Sequence, residues 1–440
     1  MTGPHDDWEG YLDGLAVFGM RPGLERVSAL LDALGRPQDG FRVVHVVGTN
    51  GKSSTTRYAA ALLGAQGLRA GAYLSPHITG YCERVLVDGK PIGPDVFGAA
   101  VARVREETVR LPEGLGETTQ FEVLTVAALL ALAQCGVDAV ALEAGLGGRL
   151  DATNVVRAPV VVLTNIGLEH TDVLGDTREA IFAEKAAVIE GGDAVFGPLD
   201  GLEAAAEEAC ARAGARAHLL GRDFTVTGGP ESFAVRTAEA TYESLAVSSP
   251  ARYQVLNAGL AVVATELLLG GLERGRVRAG LASVSVPGRL QVVSPAPFTL
   301  ADGAHNPDGM QALVATLGGL AMPRPVVAVL AVMRDKDVDG MLRMLLPSVD
   351  AVVCSQASEP RSLAADELGQ RVAAAADLAH VGNGAGKRPG VPPAAHVVAD
   401  PCEAVAKARA LAGPEGTVLV TGSLYLLEDL HCLLGGAEST

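Results

Sequence analysis

The sequence predicts an α/β fold: a doubly wound, largely parallel sheet with a small antiparallel sheet beside it, then a smaller C-terminal α/β domain. Three observations predict it. Short β-branched runs without polar alternation are separated by Ala/Leu-rich stretches of helical length, as in parallel sheets covered on both faces. That alternation stops between Asp223 and Val247 and restarts after Gly288. And 440 residues are more than one hydrophobic core usually serves.

In chain order, Phe41–Val47, Asp138–Leu142 and Pro159–Leu163 read as buried strands. Helices are predicted over Ser53–Ala65, Pro94–Val109, Phe121–Ala133 and Thr177–Ile189. The βαβα order calls for an open doubly wound sheet. Between Asp223 and Val247, the alternating segments FTVTGG, SFAVRT and TYESLAV predict a small antiparallel sheet, and a helix follows over Tyr253–Leu269. Val286-Pro287-Gly288-Arg289 reads as a hinge. Beyond it, strands at Phe298–Ala301, Val326–Val332, Ala351–Cys354 and Thr417–Val420 alternate with helices from Pro307, near Asp339 and from Leu363. His380–His396 is rich in Gly and Pro and reads as a mobile loop. The boundaries are an N-terminal domain of residues 1–286, a linker of 287–296 and a C-terminal domain of 297–440.

Composition narrows the function classes. Hydrophobic residues are 48% and charged residues 20%, enough to build a core. Aromatics are 4% with one Trp, and the net charge is -16, which together argue against a nucleic-acid partner. The six Cys form no CxxC pair, as expected in a reducing cytoplasm. No apolar leader opens the sequence and Val123–Ala133, its longest clean apolar stretch, is too short for a bilayer, so no membrane association is expected. Only six of the 35 basic residues are Lys, which draws attention to where Lys was kept.

The strand at Phe41–Val47 runs into Gly48-Thr49-Asn50-Gly51-Lys52-Ser53-Ser54 and then a helix. Strand, Gly turn and helix N-terminus make a nest of backbone N–H groups and a dipole aimed at an anion. Lys52 would reach the β and γ phosphates of ATP, and the hydroxyls that follow could meet Mg²⁺. The first domain is therefore expected to be P-loop NTPase-like and the second Rossmann-like.

GTNGK with its hydroxyl cluster resembles the Mur ligase superfamily. The match sharpens over Tyr73–His77 with Glu83-Arg84, Leu142–Asn154 (LEAGLGGRLDATN), Asn165–His170 and Glu184–Ala186. It continues through Asp302–Pro307 (DGAHNP), Asp335–Asp337 and Thr421–Leu426. These segments, in this order, are similar to folylpolyglutamate synthase / dihydrofolate synthase. One departure concerns the residue after Lys52: the family has Gly there, whereas this chain has Ser53, with Ser54 at the family Ser position.

The resemblance implies an ATP-dependent ligase of the cytoplasm, expected as a monomer. It would join L-glutamate to a folate or to dihydropteroate through an acyl phosphate. It implies Ser75, Glu143 and His170 as Mg²⁺ ligands, each after a predicted strand at the sheet's carboxyl edge. Lys185 would carry a CO₂-derived carbamate that helps place a second Mg²⁺, and a monovalent cation would join the cofactors. Lys52, Glu143, His170 and Lys185 are then the catalytic set. Asn257, Arg289, Asp302 and His305 would join the loop residues 48–54 around ATP, and Thr119, Gln120, Phe121, Glu122 and Asp151 would line the pterin/aminobenzoate pocket.

Plainer readings stand beside these. Glu143 ends an apolar strand, where a buried acid without a cation is costly. His170 could be a hydrogen-bonded loop histidine, Lys185 a helix lysine paired with Glu184, and Arg289 a linker charge. Thr119–Glu122 matches a helix capping pattern. As whole-chain alternatives, a peptidoglycan-type Mur ligase would carry a further N-terminal domain, for which the stretch before Gly48 leaves little room. A regulatory NTPase would hydrolyse without an acceptor. A dinucleotide oxidoreductase could be read from Gly145–Gly148, but the spacing is not GxGxxG.

Overall fold

The computed structural model describes residues 7–16, 23–381 and 393–434. The chain divides into two compact units, one of Met1–Ser248 with Gln254–Val284, the other of Ser249–Tyr253 with Ser285–Thr440.

The first unit is built on an eight-stranded sheet. Its strands are β1 (Arg42–Val47), β2 (Ala70–Tyr73), β3 (Val85–Val87), β4 (Lys90–Pro91), β5 (Ala139–Glu143), β6 (Val160–Leu163), β7 (Asp193–Phe196) and β8 (Arg216–Leu219), in the order β4-β3-β2-β5-β1-β6-β7-β8. All pairings are parallel except those of β3 with β2 and β4. The runs that predicted β1, β5 and β6 are buried almost end to end, as continuous apolar strands must be when helices cover both faces. Because β1 lies between β5 and β6 while its own crossover leads to β2, the sheet changes winding direction at β1. The carboxyl edge at such a point is the usual ligand position of an open α/β sheet.

The predicted helices are found at Lys52–Ala65, Pro94–Thr108, Gln120–Gln134 and Arg178–Ala186. Gln120–Gln134 is buried all round and forms the middle of the larger core with Val101, Val140 and Leu142. The second core of this unit gathers Val161, Leu163, Ile181, Phe182 and Phe196. The segment expected to be antiparallel forms β9 (Thr225–Gly229), β10 (Ser232–Arg236) and β11 (Thr241–Leu245), with β10 central. The helix Arg252–Leu269 packs against it so closely that a Cβ on Gly259 would collide with Val226.

The second unit holds a six-stranded sheet of β12 (Gln291–Pro295), β13 (Phe298–Ala301), β14 (Val326–Leu330), β15 (Ala351–Cys354), β16 (Ala394–Val397) and β17 (Thr417–Thr421). Its order is β12-β13-β17-β14-β15-β16, and only β12 runs antiparallel to its neighbour. Leu300, Met310, Leu330, Met341, Val352 and Leu419 build its core, joined by Ala251 from the short inserted segment. Of the Gly/Pro-rich stretch His380–His396, residues 382–392 lie outside the described residues. Among the described residues, no helix is long and apolar enough to cross a membrane.

Candidate active site

The turn after β1 has the backbone that its glycines permit. Gly48 has φ +148° and Gly51 φ +85°, both in the region that favours glycine. A Cβ on Gly48 would strike Thr164 and one on Gly51 would strike the Asn257 amide. The loop is pinned from the adjacent β6 edge. Thr49 N–H donates to the Asn165 carbonyl (3.1 Å), Asn50 N–H to the Asn165 side chain (2.9 Å), and Thr164 Oγ1 to the Asn50 carbonyl (2.6 Å). Thr49 is buried, its hydroxyl exchanging hydrogen bonds with Gly167. Lys52 folds back over the loop and donates to the Gly48 and Thr49 carbonyls, both at 3.1 Å. An ammonium closing a rigid ring of backbone suits an anion docked on the helix N-terminus.

The two serines diverge. Ser54 is buried and its hydroxyl accepts from Gln254 Nε2 (3.1 Å), and Gln254 in turn accepts from Asn257 Nδ2 (3.2 Å). Ser53 turns the other way and donates to Glu143 Oε1 at 2.8 Å. The other Glu143 oxygen accepts from Ser75 N–H at 3.0 Å. Glu143 is 1% exposed, at the end of β5, so Ser53, Ser75 and Glu143 are brought together where β5, β2 and the phosphate loop end.

Lys185, on the helix Arg178–Ala186, is buried and donates to the Gly48 carbonyl at 2.7 Å. Burial, helped by the nearby charge of Lys52, lowers its pKa to about 7, against the pull of Glu169 and Asp151. This lysine is therefore no solvated helix residue paired with Glu184; that carboxylate binds Arg149 at 2.9 Å. His170 is a strained, exposed residue at φ +50° that heads the short helix Thr171–Leu174, its ring 3.8 Å from Glu169. Among the described residues no group of three or more His, Cys, Asp and Glu side chains is disposed to hold a metal. The expected ligand set contains only two of those types, and its other donors are a hydroxyl and a modified lysine. Hard oxygen donors around one buried carboxylate fit Mg²⁺.

Beside this cluster a cavity of about 250 Å³ is lined by Thr119, Phe121, Glu122, Leu146, Asp151 and Leu174, among others. Phe121 is held against the backbone of Gly145, which a Cβ would push into its ring. Three of the four residues expected from Thr119–Glu122 face this cavity. Gln120 does not: its amide donates to the Leu12 carbonyl (3.0 Å) and the Tyr81 hydroxyl (2.9 Å). Glu122 is present but already committed. Arg26 grips both of its oxygens, with Nη2 at 2.7 Å and Nε at 2.9 and 3.1 Å, and the Thr119 N–H and hydroxyl complete a capping box. Here the plainer capping reading describes the structure, and Asp151, the other acidic residue expected of the pocket, also lines this cavity. Its carboxylate accepts from Leu146 N–H (2.7 Å) and Thr153 N–H (3.0 Å), and burial raises its pKa. A second cavity, at Trp8, Tyr11, Arg105 and Val109, contains none of the predicted residues.

In the second unit, Asp302 is buried at the end of β13. It accepts from the Tyr253 hydroxyl (2.6 Å), Leu290 N–H (2.8 Å) and Ala304 N–H (2.9 Å). Burial raises its pKa, opposed first by the charge of Arg289. Arg289 Nη1 lies 3.4 Å from the Gly303 carbonyl, and His305 Nδ1 donates to the same carbonyl at 2.8 Å. The structure thus gathers Arg289, Asp302 and His305 in this unit, as it gathers residues 48–54 with Asn257 in the other. Sequence reasoning missed Arg26, and it missed Arg57, a cation under the charges of Glu83 and Glu143. It also missed His45, buried on β1 and bonded to Thr153. No local pattern signalled Arg26 or Arg57; an imidazole inside the apolar run VVHVV was the one available sign of His45.

Comparison with known proteins agrees with this layout. The model of the Mur ligase middle domain matches residues 46–265, and that of the Mur ligase, glutamate ligase domain matches residues 288–424. The dihydrofolate synthase/folylpolyglutamate synthase of Escherichia coli is 35% identical over 441 residues, covering 99% of this chain and 97% of its own. The Mycobacterium tuberculosis folylpolyglutamate synthase complexed with ADP and AMPPCP superposes with a TM-score of 0.88 at 33% identity, covering 97% of each chain. The bifunctional folylpolyglutamate synthase/dihydrofolate synthase with Mn, AMPPNP and L-glutamate bound has a TM-score of 0.83 at 30% identity, over 98% of each chain. From the phosphate loop after β1 to the acid and imidazole after β13, then, the chain belongs to the Mur ligase family, among its dihydrofolate synthases/folylpolyglutamate synthases.

Proposed function

We infer that this ligase uses ATP to add L-glutamate to folates, as tetrahydrofolate polyglutamylation, as dihydropteroate plus L-glutamate giving dihydrofolate, or as both. The observation that carries the reading is the buried Glu143 carboxylate tied to the phosphate loop through Ser53 at 2.8 Å. A buried acid beside a phosphate site raises the barrier to phosphoryl transfer unless a cation stands between them.

In the proposed reaction, an oxygen of the acceptor carboxylate attacks the γ-phosphorus of ATP as the bond to the β-bridging oxygen breaks, giving an acyl phosphate and ADP. The free α-amine of L-glutamate then attacks the acyl carbon, phosphate departs from the tetrahedral adduct, and the amine loses a proton. Lys52 and the loop N–H groups hold the phosphates in line, where orientation supplies much of the rate. Glu143, Ser75 and His170 would hold Mg²⁺, with Ser53 or Ser54 beside them. A divalent ion bound there would offset the charge that two anions bring together. Asn257, Arg289, Asp302 and His305 are proposed to complete the nucleotide site, and Thr119, Phe121 and Asp151 the acceptor pocket.

Lys185 is proposed to be carbamylated. An amine must be neutral to add to CO₂, and burial that lowers the Lys185 pKa to about 7 makes the neutral form readily available near neutral pH. The reading includes a monomer in the cytoplasm with small-molecule substrates and no nucleic-acid partner. The test is purified protein with ATP, Mg²⁺ and L-glutamate, offered dihydropteroate or tetrahydrofolate separately, scoring phosphate and product mass. Amide formation with one acceptor is the expected result. Phosphate release that ignores both acceptors would overturn it.

A further inference from the structure

His45 occupies a position that packing alone does not explain. It lies on the central strand β1, fully buried, with Leu142 and Val161 as its cross-strand neighbours. Val43, Val44, Val46 and Val47 fill the same strand with hydrocarbon. An imidazole there has a desolvation cost, visible as a pKa lowered to about 4. Its Nδ1 has no hydrogen-bond partner, while its Nε2 lies 2.9 Å from Thr153 Oγ1.

Proton bookkeeping makes this contact directional. The Thr153 hydroxyl donates its only proton to Asp151 Oδ1, which the Thr153 N–H also reaches at 3.0 Å. That hydroxyl can therefore only accept from His45, which fixes the neutral Nε2–H tautomer and leaves Nδ1 bare. The result is a one-way chain from imidazole to hydroxyl to carboxylate, ending on Asp151, one of the acidic side chains that line the cavity of about 250 Å³. Without the donor, the hydroxyl is free to rotate away from Asp151, and the carboxylate loses one of the bonds that aim it.

We propose that His45 is a positioning residue for the acceptor, acting through Thr153 to orient Asp151 toward a ring N–H donor. The proposal rests on the reading of this cavity as the acceptor pocket. It contributes to acceptor recognition and leaves the nucleotide site alone, although His45 lies only three residues before Gly48.

Steady-state kinetics on His45→Leu, His45→Gln, Thr153→Val and Thr153→Ser test it, each variant first checked for a wild-type circular-dichroism spectrum. His45→Leu and Thr153→Val are expected to raise KM for the acceptor that the wild type uses by about tenfold, with KM for ATP within about twofold. His45→Gln, whose amide N–H can reach the same hydroxyl, and Thr153→Ser are expected to stay within about threefold of wild type. The double variant His45→Leu/Thr153→Val is expected to be no worse than either single one, since both cut the same chain. If His45→Leu does not fold, the Thr153 pair decides alone. An unchanged acceptor KM in a folded Thr153→Val, equal rises for ATP and acceptor, or no rescue by Gln would overturn the proposal. A wild-type protein that turns over neither acceptor would bring down the pocket reading as well, so the two failures are distinguishable.

Discussion

Single residues carry the sharpest consequences. Replacing Glu143 by Ala removes the acid to which Ser53 and Ser75 both donate. Phosphate release coupled to amide formation is expected to fall by roughly a hundredfold or more, on the scale of losing a charge-stabilising group. Full activity at ordinary Mg²⁺ would sink its proposed role. His45 makes a prediction about acid stability. Its pKa is lowered from 6.5 to about 4, so between those values the unfolded chain takes up a proton that the folded chain refuses. Its contribution is complete above pH 6.5 and is lost as pH falls toward 4, amounting to about 3 kcal/mol at the acid end. Urea titrations across pH 4–7 should therefore show the wild type losing stability relative to His45→Gln as the pH falls, whatever their difference at pH 7. Parallel curves would show that the imidazole is not kept neutral by the fold.

Elements differ in how openly the sequence announces them. The turn at Gly51 is one of the clear cases, since φ +85° and the adjacent Asn257 amide leave no room for a Cβ. Gly51→Ala is expected to cost about 1–3 kcal/mol and to weaken ADP binding at least about tenfold, read as a reduced ADP-induced rise in Tm. An undiminished rise would mean that the loop does not hold the nucleotide. β1, β5 and β6 were equally legible, because an unbroken apolar run bounded by turns has few other uses. β2 was legible only through the Ser75 expected to follow a strand: Ala70–Tyr73 is four residues long and includes Gly71, where a Cβ would collide with Leu132. Edge strands such as β8 and β12 owe their existence to the neighbour they pair with rather than to their own composition. The site divides in the same way. Glycines, Lys52 and the stranded acid Glu143 stand out locally, whereas Arg26 reaches Glu122 across 96 residues and His45 reaches Thr153 across 108. Such pairs are set by topology, so the sequence could place the pocket wall and still leave open which carboxylate in it is already occupied.

At the scale of the molecule, two cores are built separately, one around Val101, Leu129 and Val140, the other around Leu300, Met341 and Leu419. Heat unfolding is expected to resolve into two calorimetric components, and a single peak whose calorimetric and van't Hoff enthalpies agree would show one cooperative body instead. The acidic balance of the whole, -16, now says little about partners, since the proposed substrates are anions themselves. Lys52, the loop N–H groups and metal in one place must outweigh the general field. The five residues Ser249–Tyr253 belong with the second unit, although 31 further residues, Gln254–Val284, return the chain to the first. Ala251 fills the second core and the Tyr253 hydroxyl binds Asp302. Cutting the gene after Val284 would therefore not release a self-sufficient C-terminal half: the fragment would lack a core side chain and leave a buried carboxylate short of one donor. Each unit is thus discontinuous along the chain, and any attempt to exchange one with a relative's must transplant two segments at once.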